Sequence, residues 1–565
     1  MAGNQNSEGD KGEHLKWFSK FKESDEYLAF TKHPVAYFSA EYALDSDLPT
    51  YAGGLGILAG DYIRETAMQD FPLIAVGIRY QKAQSNLSLI ESNHKLQRVL
   101  DENGQEIVVS LPMENRMISV KAWLWQEGKA KVYLLDTDVA ENSPEDREIT
   151  KFLYAENRDT RLKQEIILGI CGFRLLAQLG IHASVYHLNE GHSAFLALEL
   201  VRHEMEHQRA SFEDACTYAR KHIVFTNHTL VAAGQEQFLS EKVAQYMAQY
   251  AEEMGLEGKD IADLGAINYD SNLLSMTTLS FRLSSKSNTV SKLHLEKAKK
   301  VWPDEKMQNV TNGIFIQRWD KIKESSNLKL WEQHIENKKL LLNFIQKQTG
   351  ETWGENDLIL VWARRMVDYK QPMLFIDNLD KILEITKNSP VPIRIIYSGP
   401  TGENENPLVS VIKKTIEEKL KDTAVFIPNY STEVASVLTM GADMWLNTPV
   451  IGREACGTSG MKASLNGALT LSTNDGWISE VEGGGIGWVV NSSENGEELR
   501  YLLEKEIIPE YHKFLTHKDG SLWYKKMQNA RNLILNNFST SRMLKEYIEM
   551  LYIPTLKQKH THPRD

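Results

Sequence analysis

The segment from Arg453 to Trp477, REACGTSGMKASLNGALTLSTNDGW, sets one lysine, Lys462, in a run of small residues followed by a core-strand pattern. Gly457, Thr458, Ser459 and Gly460 permit close backbone approach and positive φ. With the helix-forming run MKASLNGAL behind them, one reading is an anion-binding turn at a helix N-terminus, a phosphate and the Lys462 amine side by side. The other is a glycine-rich structural turn whose lysine is a solvated first-turn charge. The local pattern leaves both open.

ARRMVDYK places Arg364, Arg365 and Lys370 just past a buried-strand pattern, where three like charges repel unless an anion sits among them. This is the strongest phosphate candidate in the chain, the alternative being a cationic helix start wetted on one face. A second glycine turn, YAGGLGILAGD over 51–61, exposes the amides of Gly53, Gly54 and Gly56 ahead of a helical segment. A lone loop of this kind is more often a tight turn. VFTNHT ends in Asn227 and His228, and HLNEGHSAF carries Asn189, Glu190 and His192. Two histidines and a glutamate invite a metal, but HExxH and CxxC spacings are both missing, so no metal site is assigned. Glu454, eight residues before Lys462, also reads as a helix-capping acid, and Asp475 as a turn-former.

The elements that must position these residues alternate short β-branched or aromatic runs with amphipathic helical stretches, which predicts parallel sheets covered by helices. Strand patterns begin at Val35, Pro72, Ser184 and His222 in the first half, and at Asp357, Ile393, Ala424, Ala442 and Ala468 in the second. Each ends in polar residues, the place where an open α/β sheet meets its ligand. A charged, irregular stretch from Ser284 to Glu336 around VTNGIFIQRW puts the interdomain crossing near Asn312. The domain reading is a mobile polar tail over 1–30, an N-terminal Rossmann-like domain over 31–315, a C-terminal Rossmann-like domain over 316–535, and a C-terminal helix and tail over 536–565.

A chain of 565 residues suits about two large domains. Its formal charge of -12 argues against nucleic acid or an anionic membrane as the main partner, so any anion must be held by a local basic cluster. Cys171, Cys216 and Cys456 lie far apart, which excludes a disulfide framework or zinc knuckle and fits a reducing cytoplasm. The N-terminal MAGNQNSEGDKGEH is polar where a secretory signal is apolar, and no apolar run is long enough to span a bilayer.

In this order, YAGGLGILAGD, GIRYQ, RLKQE, HLNEGHSAF, VFTNHT, VTNGIFIQRW, RRMVDYK, NYSTEVAS and EACGTSGMKASLNGAL resemble the α-glucan phosphorylases, the glycogen, starch and maltodextrin phosphorylase family, in a short bacterial-type form. The resemblance runs from about Val35 to about Asn536. It implies an α/β fold of two Rossmann-like doubly wound domains facing across a cleft, the GT-B glycosyltransferase architecture. It also implies pyridoxal 5′-phosphate bound as a Schiff base. The implied reaction is reversible phosphorolysis of α-1,4-glucan or maltodextrin at the non-reducing end, with orthophosphate consumed and α-glucose 1-phosphate released with retention.

Carried over by motif, Lys462 matches the Schiff-base lysine. In this family the cofactor's phosphate, rather than its ring, exchanges a proton with substrate phosphate, which a second phosphate pKa of about 6 allows near neutrality. Arg365 and Lys370 match residues that hold substrate phosphate, while Arg364, Thr458 and Ser459 match contacts to cofactor phosphate. Gly54 and Leu55 match the loop backbone that closes over the same anions, and Tyr430 the residue packed on the cofactor ring, with Tyr369 lining that pocket. Glu454, Cys456 and Gly457 match the segment that binds glucosyl hydroxyls, and Asn312 and His228 the residues at the 6-hydroxyl. Retention often uses two close carboxylates. None is apparent here, and the family's route is front-face attack by phosphate, with the electrostatic work falling on the basic cluster.

The departures are specific. Arg364 replaces a lysine of the animal enzymes, keeping charge and adding a planar fork. Cys456 stands where serine is usual and puts a soft, oxidisable thiol beside the cofactor. SGPTG over 398–402 replaces a lysine-bearing GKAHP. The match begins near Val35, so no AMP activation is expected. The gating loop and a sugar-binding asparagine fall within YAENRDTRLKQE, which is shorter here. A homodimer is the family expectation, and the sequence leaves oligomeric state and preferred glucan open. Two rivals remain. A synthase-like transferase using a nucleotide sugar resembles this chain at Glu454 but places a second glutamate where Lys462 stands. An inactive glucan-binding scaffold has no need of Lys462, Arg365, Lys370, His228, Asn312 and Glu454 together.

Overall fold

Runs of Val, Ile, Leu and aromatic residues too short for helices form the strands, and each of the nine runs read from the sequence contains one. The computed structural model describes residues 16–82, 95–230, 235–267, 270–323, 328–400, 406–481, 485–494 and 496–558. Its contacts fall into two units. The first takes the described chain to Val290, then Ala298–Val310 and the described chain from Met543; the second takes Ser291–Lys297 and Thr311–Arg542.

The first unit is built on a ten-stranded sheet. Met307–Asn309, Lys286–Thr289, Ile223–Thr226, Val185–Asn189, Val35–Phe38, Leu73–Ile78 and Ala130–Asp136 lie side by side and parallel. The central members are buried along their whole length, as parallel strands covered on both faces are. Beyond Ala130–Asp136 the sheet turns antiparallel through the long strand Arg116–Glu127, whose side chains alternate between buried and half-exposed positions over much of its length. A small antiparallel sheet joins Gln237–Leu239, Ala266–Ile267 and Asp270–Ser275.

Residues 16–30, expected within a mobile tail, are largely helical. Phe18, Phe21 and Phe30 are buried in the first unit's core, and apolar area removed from water outweighs the entropy of a free tail. The C-terminal stretch is likewise no free appendage. Tyr547, Ile548, Leu551 and Tyr552 belong to that same core. The Tyr552 hydroxyl lies 2.7 Å from the Tyr62 hydroxyl and 2.7 Å from His187 Nδ1. Burial lowers the His187 pKa to about 3, so the ring is neutral. Its Nε2 meets Thr226 Oγ1, which itself donates to Asn288, so the ring proton sits on Nε2 and Nδ1 accepts from Tyr552.

The second unit holds six parallel strands in the spatial order Ala424–Ile427, Ile393–Ser398, Leu358–Ala363, Met444–Asn447, Leu469–Thr473 and Gly487–Val490. In chain order these are third, second, first, fourth, fifth and sixth, the doubly wound arrangement. The direction of winding reverses between Leu358–Ala363 and Met444–Asn447, and the crevice past the carboxyl ends of those two strands is where such a sheet binds ligands. The chain enters this unit briefly over Ser291–Lys297 and again, for its long stretch, at Thr311, beside Asn312. The stretch expected to be irregular around it contains the strands Lys286–Thr289 and Met307–Asn309 and the helix Lys292–Val301. Among the described residues no helix is long and apolar enough to cross a membrane.

Candidate active site

In the second unit, Arg364 follows the buried strand Leu358–Ala363 and reaches across the switch point to Asn447 Oδ1, at the end of the neighbouring strand. Its Nη2 donates to Glu454 Oε2 at 2.8 Å, and the same oxygen lies 3.3 Å from Lys370 Nζ. Burial would raise the Glu454 carboxyl, but Lys370 and Arg364 hold it below the usual carboxylate range. Burial, then repulsion from Arg364, brings Lys370 down to about 7. Arg365 is exposed and hydrogen-bonds Tyr369. Three cations thus gather about one carboxylate, and Arg364 Nε has no partner among the described residues. That excess of positive charge suits a multiply charged anion.

The loop carrying Glu454 is held from behind. Asp475 accepts from the amides of Arg453, Glu454 and Gly476 at 3.2, 2.9 and 2.8 Å, and burial lifts its pKa to about 6. Gly457 has φ 74, and a Cβ there would lie 3.2 Å from Glu454 Cγ and 3.3 Å from Arg364 Nη2, so only glycine serves. Thr458 and Ser459 open the helix Ser459–Leu465, with Ser459 Oγ accepting from Trp445 Nε1 at 3.3 Å. Lys462 in that helix is buried, its ammonium 4.0 Å from the centroid of the Trp319 ring. Asn312 is buried, and its Oδ1 has no hydrogen-bond partner among the described residues. Cys456 is buried too, and burial pushes its thiol well up. Tyr430 is half-buried against the aliphatic cluster that includes Leu341 and Leu438.

In the first unit, His228 sits in a chain of neutral hydrogen bonds. Its Nε2 is 2.7 Å from Asn189 Oδ1, Asn189 Nδ2 donates to Ser39 Oγ at 3.0 Å, and Ser39 Oγ donates to the Glu41 carbonyl. This order fixes the Asn189 amide and requires the proton on His228 Nε2, leaving Nδ1 as an acceptor. Burial lowers His228 to about 3, so the ring stays neutral. Glu190 accepts from the His228 amide at 2.9 Å and from Gly191 at 3.2 Å, and adopts φ 72, a strained conformation for a non-glycine residue. Burial raises Glu190 to about 7.

The glycine turn is anchored by Glu41, whose Oε2 accepts from Ala52 and Gly53 at 2.8 and 3.0 Å while Tyr154 donates to Oε1. Gly54 and Leu55 then begin the helix Gly54–Met68 with N–H groups that a helix leaves without internal partners. A Cβ on Gly56 would approach Tyr51 Cβ to 2.5 Å, so the turn depends on that glycine.

A family model described as carbohydrate phosphorylase matches residues 135–336 and 320–484. The chain belongs to the carbohydrate phosphorylase family. It is similar to the maltodextrin phosphorylase of Thermococcus litoralis, 33% identical over 94% of this chain and 72% of that one. The glycogen phosphorylase of Aquifex aeolicus is 30% identical over 94% of this chain and 87% of its own length. An uncharacterized protein of Methanocaldococcus jannaschii is 30% identical over 92% of this chain and 99% of its own.

Within this phosphorylase-family chain, the structure brings Arg364, Lys370, Glu454 and Gly457 into one cluster and sets Lys462 in the helix that follows. Asn189, Glu190 and His228 form another cluster. Asn157, in the segment expected to hold a sugar-binding asparagine, caps the helix Arg158–Ile166 through the amides of Asp159 and Thr160. In SGPTG, 401–402 lie outside the described residues. Asp475, read from the sequence as a turn-former, gathers backbone amides, and so does Glu41, which escaped notice because sequence patterns do not display such contacts.

Proposed function

We propose that the protein catalyses reversible phosphorolysis of α-1,4-glucans, releasing α-glucose 1-phosphate with retention. The observation that carries this is the cationic cluster at the switch point, Arg364 and Lys370 on Glu454 with Arg365 beside them, in the same unit as a buried lysine. In this reading the first unit supplies Gly54, Leu55 and His228, and the second supplies the rest.

The residues of the second unit fit pyridoxal 5′-phosphate. Lys462 offers a buried amine for covalent attachment, Arg364 an unpartnered Nε and a fork for phosphate, and Thr458, Ser459 and Tyr430 the surrounding contacts. When bound, the cofactor supplies a second phosphate able to exchange a proton with orthophosphate near neutral pH. Arg365 and Lys370 bind orthophosphate. Its arrival displaces the Glu454 carboxylate from Lys370, freeing Glu454 to accept from glucosyl hydroxyls, while Cys456 and Gly457 contribute backbone to the same sugar. The 6-hydroxyl gives its one proton to His228 Nδ1 or to Asn312 Oδ1, both acceptors left open among the described residues. Positive charge developing on the sugar faces the His228 carbonyl and the phosphate.

The protein is read as cytoplasmic, with a homodimer as the family expectation. Incubation with maltodextrin and phosphate should yield glucose 1-phosphate, with none when phosphate is omitted. Purified protein should carry a pyridoxal chromophore that Lys462→Ala abolishes; an active, colourless, cofactor-free wild type would sink this reading. Glucosyl transfer from a nucleotide sugar, without phosphorolysis, would favour the synthase-like rival.

A further inference from the structure

Glu165, His192 and Glu236 come from stretches far apart in sequence and meet within the first unit. One oxygen from each carboxylate and one His192 ring nitrogen lie within 4.8 Å of one another. Glu165 is 4% exposed and His192 7%. Both Glu165 oxygens and His192 Nδ1 have no hydrogen-bond partner among the described residues. Orphaned acceptors buried against each other are costly, and native interiors rarely keep them without a water or an ion.

The neighbouring cations bond Glu236 and leave both Glu165 oxygens without a hydrogen bond. Arg158 and Arg161 each bond one oxygen of Glu236, Arg158 at 2.9 Å, and so fix that carboxylate while leaving lone pairs free on both oxygens. Hydrogen bonding from outside is how ligating carboxylates are oriented in metal sites. A proton shared with Glu165 does not account for the arrangement, since neither Glu165 oxygen is within hydrogen-bonding reach of Glu236 or His192. One imidazole and two carboxylates are a donor set for a first-row divalent cation, with a further position open to water. The sequence singled out His192, but beside His228 and Glu190 and not with Glu165 and Glu236, which share no local motif with it.

We propose that Glu165, His192 and Glu236 bind a divalent first-row transition cation, of the Zn2+ or Mn2+ class, which ties the helix Arg158–Ile166 to the turn Gly191–Ser193 and to the chain entering Gln237–Leu239. The site is structural, and its existence is independent of the glucan reading.

The test uses full-length protein stripped with EDTA and titrated with ZnCl2, MnCl2 and CoCl2 in a calorimeter. One tight equivalent is expected for at least one of these ions, with a rise in Tm on loading. His203 and His207 stack on the helix Leu196–Gln208 with ring centroids 4.0 Å apart and are the obvious competing surface pair. His207→Ala should therefore keep the tight equivalent, whereas Glu165→Gln and His192→Gln should lose it. Retention in both of those variants, or loss in His207→Ala alone, overturns the proposal, as does wild type that binds none of the three ions. Should the core variants misfold, X-ray absorption on zinc-loaded wild type decides. One imidazole with oxygen ligands is expected, and two imidazoles overturn the assignment.

Discussion

At the switch point of the second unit three cations crowd about one carboxylate, whereas around His228 in the first unit the ring is neutral and proton positions follow from a chain of hydrogen bonds. The two regions solve different recognition problems. Excess charge selects an anion and is sensitive to salt where exposed. A fixed neutral acceptor selects the direction of a hydroxyl and ignores salt. Sugar and phosphate, in the proposed reaction, call for one device each.

The largest expected effect comes from Arg364→Leu, which leaves the buried Glu454 carboxylate short of a counterion. A stability loss of about 3 kcal/mol in denaturant melts should accompany loss of phosphorolysis. The double variant Arg364→Leu/Glu454→Leu should recover most of the stability and none of the activity; recovery of both would break the comparison.

Arg365 is exposed, so Arg365→Ala should change stability by less than about 0.5 kcal/mol, yet raise the KM for orthophosphate, most strongly at low ionic strength. His228→Ala removes a neutral acceptor and should lower kcat/KM for glucan by roughly tenfold, with the KM for phosphate and its salt dependence unmoved. Equal shifts in both Michaelis constants would show that the two regions do not divide the work.

The remaining effect is in pH. Lys370 sits at about 7, against 10.5 for an ordinary lysine, because of burial and then Arg364. Between those values the unfolded chain binds more protons than the folded one, so unfolding free energy from this group rises with pH. Melts at pH about 7 and about 9 should show this rise in wild type. They should show none of it in Lys370→Met.

The parallel strands were legible because each is a short apolar run ending in polar residues, as at Leu358–Ala363 before Arg364. Arg116–Glu127 was not among them: much of its length alternates between buried and half-exposed positions, a period that a search for continuous apolar runs passes over. Arg364, Lys370, Glu454 and Lys462 carried a chemical signal in their types and spacing. Asp475 did not, since an acid that gathers three amides looks like any turn-former until the backbone is in place. Glu190 and Glu165 differ in the same way: φ 72 at one and two orphaned oxygens at the other are properties of the folded chain alone.

The helical run from Thr540 to Gln558 has a consequence for how the chain is made. Tyr552 closes the hydrogen-bond line through Tyr62 and His187, so a strand at the centre of the first sheet waits for residues translated after the whole of Thr311–Arg542. The part that leaves the ribosome first is therefore finished last. During that interval its aromatic core is open to aggregation and to chaperones, which makes the second unit, contiguous from Thr311 to Arg542 but for a short segment, the better candidate for co-translational folding.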